Sequence, residues 1–271
     1  MKCSIIAEVG WNHMGDVGLA KQMIDAAAKA GADYVKFQTW SVEDLVSGTW
    51  DTDGRRQIYE KAELTREKHE QLLEYCLEKN VRFLTSVFNV KHVKMLKEIG
   101  CKEIKIASCE ALNRNLVNEC IDTFDKIYIS TGGLTEGECA FLVNFVSRAT
   151  DKVILLHCVS LYPCPDNKSN IGRMTLLNEL SDCDVGYSDH TAGTYAPFIA
   201  ISKGAKVIEK HFTTDNDLPG RDNKNACLPK TLEEICEFRN LHHILEKNVT
   251  LGRDNNEAAF EEFRGRWSKK Q

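Results

Sequence analysis

DVGYSDHTAGTYAPFIAISKGAKVIEKHF (184–212) reads as strand, helix, strand. DVGYS (184–188) and KVIEKHF (206–212) are short runs of strand-forming residues, and GTYAPFIAISKGA (193–205) between them has helical character and ends at Gly204. A Gly just past a helix is a common terminator because it accepts the left-handed conformation. Both strand runs finish in polar residues, SDH and EKH, where a buried strand would prefer Val or Ile. A strand–helix–strand unit of this kind builds a parallel sheet.

The same unit recurs upstream. The strand candidates are SIIAEVG (4–10), DYVKFQ (33–38), RFLTSVF (82–88), EIKIAS (103–108), KIYIST (126–131) and KVILLHC (152–158), giving eight with the two above. Helical periodicity occupies the intervals between them, several of which close at Gly31 or Gly100, and a last helix, KTLEEICEFRNLHHIL (230–245), follows the eighth strand. Nearly continuous apolar strands are expected where both faces are covered. Strand then helix, eight times, predicts an α/β fold, a (β/α)8 TIM barrel. An open doubly wound sheet is the competing architecture, disfavoured because no GxGxxG follows an early strand.

The chain has 271 residues, a formal net charge of −5 and 42% hydrophobic residues, ordinary for one globular domain spanning 1–271. Mild acidity without a basic block, apart from the last few residues, argues against nucleic acid as partner. No run approaches the ~20 apolar residues of a membrane span. The opening MKCSIIAEVGWNHMG lacks a signal peptide's long apolar stretch, so the reading is cytoplasmic. Eleven cysteines, an odd count without CxxC pairs, read as reduced core residues rather than a disulfide or zinc framework. Residues 39–64 are far longer than an ordinary connection and are expected to cover the barrel mouth.

Barrel sites are assembled from the C-terminal ends of the strands. Those ends supply Glu8; Lys36 and Gln38; Thr85 and Ser86; Lys105 and Ser108; Ser130 and Thr131; His157, Ser160 and Tyr162; Ser188, Asp189 and His190; Glu209 and His211. Burying so many polar groups is costly unless they bind something. Two lysines among serines suit a small anion carrying phosphate and carboxylate. The alternatives are structural ion pairs with neighbouring carboxylates and a Schiff-base lysine of an aldolase. His190 and His211, ending adjacent strands, can share one divalent ion, or be two satisfied pocket histidines. Glu8, Asp189, Glu209 and Asp222 can serve as ligands, as partners of ligands or as proton-transfer groups. His157, inside an apolar run, reads as structural.

AEVGWNHMGD (7–16), AGADYVKFQ (30–38), IKIASCE (104–110), ISTGG (129–133), LLHCVSLYP (155–163), VGYSDHTAG (185–193), GAKVIEKHFT (204–213) and LPGRD (218–222) carry a resemblance. In that order and spacing, the chain resembles the N-acetylneuraminate (sialic acid) synthase family, which condenses phosphoenolpyruvate with an acylamino sugar. The resemblance implies a (β/α)8 barrel with a divalent metal, Mn2+ or Mg2+, held by His190 and His211. It implies that Lys36, Lys105, Ser108, Ser130 and Ser188 hold the donor, with Ser86 where the family has Thr, and that Glu8, Gln38, Tyr162 and Asp222 surround the acceptor sugar. It further implies C–O cleavage: C3 of phosphoenolpyruvate attacks the aldehyde, water adds at C2, and phosphate leaves. Glu8 is the candidate for handling the water or hydroxyl proton.

Three departures stand out. TSVFN (85–89) replaces a TPF-type turn, so that Val87 stands for Pro. Ser160 stands where LHCxNxYP has Asn. The sequence ends at FRGRWSKKQ, where the family continues into a small antifreeze-like domain that reaches across a homodimer. A homodimer, an absent antifreeze-like domain and an acceptor preference different from, or broader than, N-acetylmannosamine are the expectations. A ligand-binding subunit dependent on a separate chain is the competing function.

Overall fold

In the computed structural model, which describes residues 2–247, 251–264, 266 and 267, eight parallel strands close into a barrel in sequence order. The strands are β1 (Ser4–Gly10), β2 (Tyr34–Thr39), β3 (Arg82–Val87), β4 (Glu103–Ile106), β5 (Lys126–Ser130), β6 (Val153–Cys158), β7 (Asp184–Asp189) and β8 (Val207–His211). Each expected strand is present, displaced by at most two residues at an end. The helices are α1 (Val17–Lys29), α2 (Arg55–Ala62), α3 (Arg66–Glu78), α4 (Val90–Glu98), α5 (Arg114–Thr123), α6 (Glu136–Val146), α7 (Gly172–Leu180), α8 (Tyr195–Ser202) and α9 (Pro229–Leu245). The unexpected one is α2, inside the long 39–64 connection. Gly31, Gly100 and Gly204 follow their helices with φ of +90°, +97° and +90°, as their positions suggested.

Side chains alternate across each strand, so inward positions recur every second residue. The inward residues are apolar low in the barrel and polar at its top. Ile6, Tyr34, Leu84, Tyr128, Ile154, Leu156 and Val207 form a buried cluster distinct from the main core between strands and helices. Two residues beyond Ile6, Tyr34, Leu84, Tyr128 and Val207 stand Glu8, Lys36, Ser86, Ser130 and Glu209. The register aligns this upper layer: Glu8 pairs with Lys36 across β1 and β2, Ser86 with Lys105 across β3 and β4, and Ser188 with Glu209 across β7 and β8.

The lower end is closed by satisfied polar groups. Glu103 accepts hydrogen bonds from Tyr34 (2.8 Å) and Tyr128 (2.6 Å). The buried Arg239 of α9 pairs with Asp33 and donates to the carbonyls of Cys3 (3.1 Å) and Gly31 (3.0 Å). Nine of the eleven cysteines are buried and all are free; Cys109 is exposed and Cys139 half-buried. Among the described residues no helix is long and apolar enough to cross a membrane. The basic end SKKQ (268–271) lies outside the described residues.

Candidate active site

The strand tops open into a cavity of about 390 Å3, lined by Glu8, Lys36, Gln38, Ser86, Lys105, Ser108, Ser130, Tyr162, Ser188, His190, His211 and Asp222, with Glu209 among them. Twelve of the thirteen predicted site residues thus share one cavity. The exception is Ser160, which is exposed and outside the lining.

At its floor lies a buried charge network. Lys36 Nζ stands 2.8 Å from Glu8 Oε2 and 3.5 Å from Glu209 Oε2, and donates to Ser86 Oγ at 2.9 Å. Lys105 Nζ lies 3.1 Å from Glu209 Oε1, which also accepts from Ser188 Oγ at 3.0 Å. Gln38 Nε2 donates to Glu8 Oε1 at 2.7 Å. Burial alone would favour neutral Lys36, but Glu209 and Glu8 outweigh it and raise its pKa above the ordinary value. Burial likewise opposes ionisation of Glu209, yet Lys105 and Lys36 hold its carboxyl well below the usual range. The ion pairs weighed for the lysines are therefore present. They do not remove the lysines from the site, because both line the cavity.

The serines differ. Ser108 Oγ accepts from Gly132 N at 3.0 Å, which fixes it beside the strand ends. Ser130 Oγ is buried with no hydrogen-bond partner among the described residues. A buried hydroxyl left unpaired is costly, and in a cavity wall it marks a place for a ligand oxygen.

His190 and His211 have ring centroids 5.6 Å apart, and the Tyr162 ring lies 4.1 Å from His190. Val159 O accepts from His190 Nδ1 at 2.6 Å, which assigns the proton to Nδ1 and leaves Nε2 its lone pair. Burial, then the neighbouring His211, lowers the pKa of His190 to about 3, so the imidazole is neutral. His211 Nδ1 is buried without a hydrogen bond, 3.9 Å from Asp222 Oδ2. The neutral His190 ring and the uncommitted Nδ1 of His211 fit a divalent ion. Among the described residues no three His, Cys, Asp or Glu side chains converge on one point, so such an ion would keep positions open for water or substrate oxygen rather than sit in a closed structural site.

One candidate is corrected. Asp189 lies on the other face of β7, paired with Lys210 and accepting from Tyr187 at 3.1 Å, outside the cavity. Period-two alternation puts it behind the strand once Ser188 points in. His157 is structural, as read: its Nε2 lies 2.9 Å from Ser169 O, and its ring stacks on Tyr187.

The mouth adds residues that the strand-end rule did not reach. Trp11 donates its indole N–H to Asp222 and packs on Tyr59 at 4.9 Å between centroids. Arg55 and Tyr59 come from α2, and Arg221 from the loop after β8. The long connection does reach over the barrel mouth, as expected, through these α2 residues. Arg221 stood within the quoted LPGRD motif, which was its only signal.

A family model described as the NeuB family matches residues 23–250. The chain is 36% identical to N,N'-diacetyllegionaminic acid synthase of Campylobacter jejuni, covering 87% of this chain and 75% of that protein. It is 33% identical to pseudaminic acid synthase of Helicobacter pylori, covering 81% and 68%. Among solved structures it superposes with TM-score 0.89 and 32% identity on the N-acetylneuraminic acid (sialic acid) synthetase of Leptospira borgpetersenii in complex with citrate, covering 100% of this chain and 94% of that one. The barrel, its polar mouth and these matches agree: the chain is an enzyme and belongs to the NeuB family of synthases.

Proposed function

We propose that the protein condenses phosphoenolpyruvate with the open-chain aldehyde of an acylamino sugar, forming a sialic-acid-like 3-deoxy-2-keto sugar acid and phosphate. The observation that carries this reading is the buried layer in which Lys36 and Lys105, tied to Glu8 and Glu209, stand among the hydroxyls of Ser86, Ser108, Ser130 and Ser188. Ammonium and hydroxyl donors at one depth suit the two anionic groups of the donor. Unpaired Ser130 supplies a further donor.

The raised pKa of Lys36 keeps it an ammonium, which counts against a Schiff-base role needing a neutral amine. In the reaction, C3 of the donor bonds to the aldehyde carbon, whose oxygen takes up a proton. Water adds at C2 and loses a proton, and the C2–O bond to phosphate breaks. Lys36 and Lys105 stabilise the charge on the leaving phosphate and the carboxylate. Glu8, held by Gln38 and Lys36, is the group assigned to accept the water proton. A divalent ion, Mn2+ or Mg2+, held by His190 and His211 would supply Lewis-acid polarisation of the aldehyde. The aldehyde is placed by Tyr162 and Asp222, beside those two rings.

The test is phosphate release by the purified protein given phosphoenolpyruvate, Mn2+ and a panel of aldoses, with products weighed by mass spectrometry. Acceptor-dependent release with a product of the summed mass supports the reading. Binding of phosphoenolpyruvate without release for any sugar would favour a dependent ligand-binding subunit.

A further inference from the structure

We propose that the buried Asp189–Lys210 pair, outside the cavity, is a brace that sets the spacing of His190 and His211 and thereby the affinity of the divalent-ion site. The inference rests on the metal reading above and assigns two positioning residues to it.

β7 and β8 are hydrogen-bonded neighbours, and Asp189 stands opposite Lys210 in their register. Each is followed directly by one of the two histidines. Period-two alternation turns Ser188, His190, Glu209 and His211 into the cavity and Asp189 and Lys210 away from it. Both charged side chains are nonetheless buried, and they pair with each other. They also grip the residue beyond His190 from two sides. Asp189 accepts from Thr191 N at 2.9 Å, and Lys210 donates to Thr191 O at 2.6 Å. Tyr187 donates to the same Asp189 oxygen at 3.1 Å. The backbone on either side of His190 is thus tied to the residue before His211.

The two rings are restrained unequally. His190 has its own anchor, Nδ1–H to Val159 O at 2.6 Å. His211 Nδ1 makes no hydrogen bond among the described residues. The place of that ring therefore follows from its backbone, which is fixed by Lys210 before it and by Cys227 N donating to His211 O at 2.7 Å. No third His, Cys, Asp or Glu converges with the two rings among the described residues. Their separation, 5.6 Å between centroids, is then the protein's main contribution to the geometry of the site. A buried ion pair is weak evidence for stability, since apolar side chains of similar volume often serve as well. What this one supplies is two strand ends locked at one distance.

The experiment measures Mn2+ binding in the absence of substrates, from the electron paramagnetic resonance signal of free Mn2+, at a temperature where circular dichroism shows the protein folded. The proteins compared are the wild type, Asp189→Asn/Lys210→Met, Tyr187→Phe and His211→Ala. The double substitution removes both charges together, so no buried charge is stranded, and its amide oxygen can still accept from Thr191 N and Tyr187 while the tie to β8 is cut. It should bind Mn2+ about tenfold more weakly than the wild type, the scale on which groups behind metal ligands act. Tyr187→Phe, which takes one hydroxyl from Asp189, should bind about threefold more weakly. His211→Ala marks the loss of a ligand. A purely structural pair predicts a lower melting temperature with an unchanged Kd. That result in the folded double variant would overturn the brace and leave the metal site standing. If the double variant does not fold, wild-type affinity in Tyr187→Phe would overturn it instead. A wild type that binds Mn2+ no better than His211→Ala would remove the metal site and the inference together.

Discussion

Glu209 holds Lys105 at 3.1 Å, and through its other oxygen it lies 3.5 Å from Lys36, so one carboxylate bridges the two lysines of the cavity floor. Removing its charge leaves two buried ammoniums with only Glu8 to balance them. Glu209→Gln should therefore destabilise the fold by roughly 3 kcal/mol or more, the scale of breaking a buried pair. Urea unfolding at neutral pH measures this, and a change below the error of the method would show the network to be looser than drawn.

The same carboxylate makes a signed pH prediction. In the folded protein Glu209 ionises at lower pH than in the unfolded chain. Its contribution is fully present above the ordinary carboxylate range and is lost as pH falls below it, because the unfolded state then binds more protons. Acid should thus destabilise the wild type more steeply than Glu209→Gln. Parallel stability curves for the two proteins below pH 4.5 would contradict this.

Lys36→Met and Lys105→Met should each raise KM for phosphoenolpyruvate tenfold or more, since a charge-assisted contact contributes about 1.5–3 kcal/mol. A fall in kcat is expected as well if the contact tightens in the transition state. Because Lys36 also balances Glu8 and Glu209, its variant must be assayed at a temperature where circular dichroism shows it folded. Unaltered donor kinetics would take that lysine out of the donor site.

Metal depletion should abolish turnover without unfolding the protein, because the barrel core is built from the apolar clusters rather than from His190 and His211. Added Mn2+ should restore the depleted wild type but neither His190→Ala nor His211→Ala. The check is activity with thermal melting on the same samples. Full activity after verified depletion would rule out the metal role even if both variants were dead.

Gly132 gives a steric test. A Cβ there would lie 2.5 Å from Cys158 Sγ, 2.6 Å from Ser160 Oγ and 2.8 Å from Ser108 Oγ, all closer than real contacts allow. Gly132→Ala should push Ser108 from its place and raise donor KM while the barrel persists. Donor affinity equal to wild type would show that Ser108 does not touch the donor.

Strand–helix alternation made the barrel legible, and period-two alternation gave the polar layer, since Ile6 and Glu8, or Tyr34 and Lys36, already show the change from apolar to polar along one face. Pairing was not legible. Lys105 and Glu209 are 104 residues apart, and only the closure of β8 onto β1 puts Glu8 opposite His211. The helix α2 escaped because RRQIYEKA is eight residues long with only Ala62 buried, too short and too polar to show a period. Arg221 sits in a loop with no periodic context, and the Trp11–Asp222 bond joins residues 211 apart. Ser160 shows the limit of a motif: its place in LHCVSLYP suggested a binding role, but it is exposed and outside the cavity lining, with its Oγ beside Gly132.

The most direct test of the condensing reaction is to supply phosphoenolpyruvate carrying oxygen-18 in the bridge between C2 and phosphorus, with Mn2+ and the preferred acceptor. Attack by C3 followed by C–O cleavage predicts that the label leaves in inorganic phosphate, matched one for one by a keto sugar acid without it. Label retained in the organic product, or phosphate released at the same rate without an acceptor, would contradict the account.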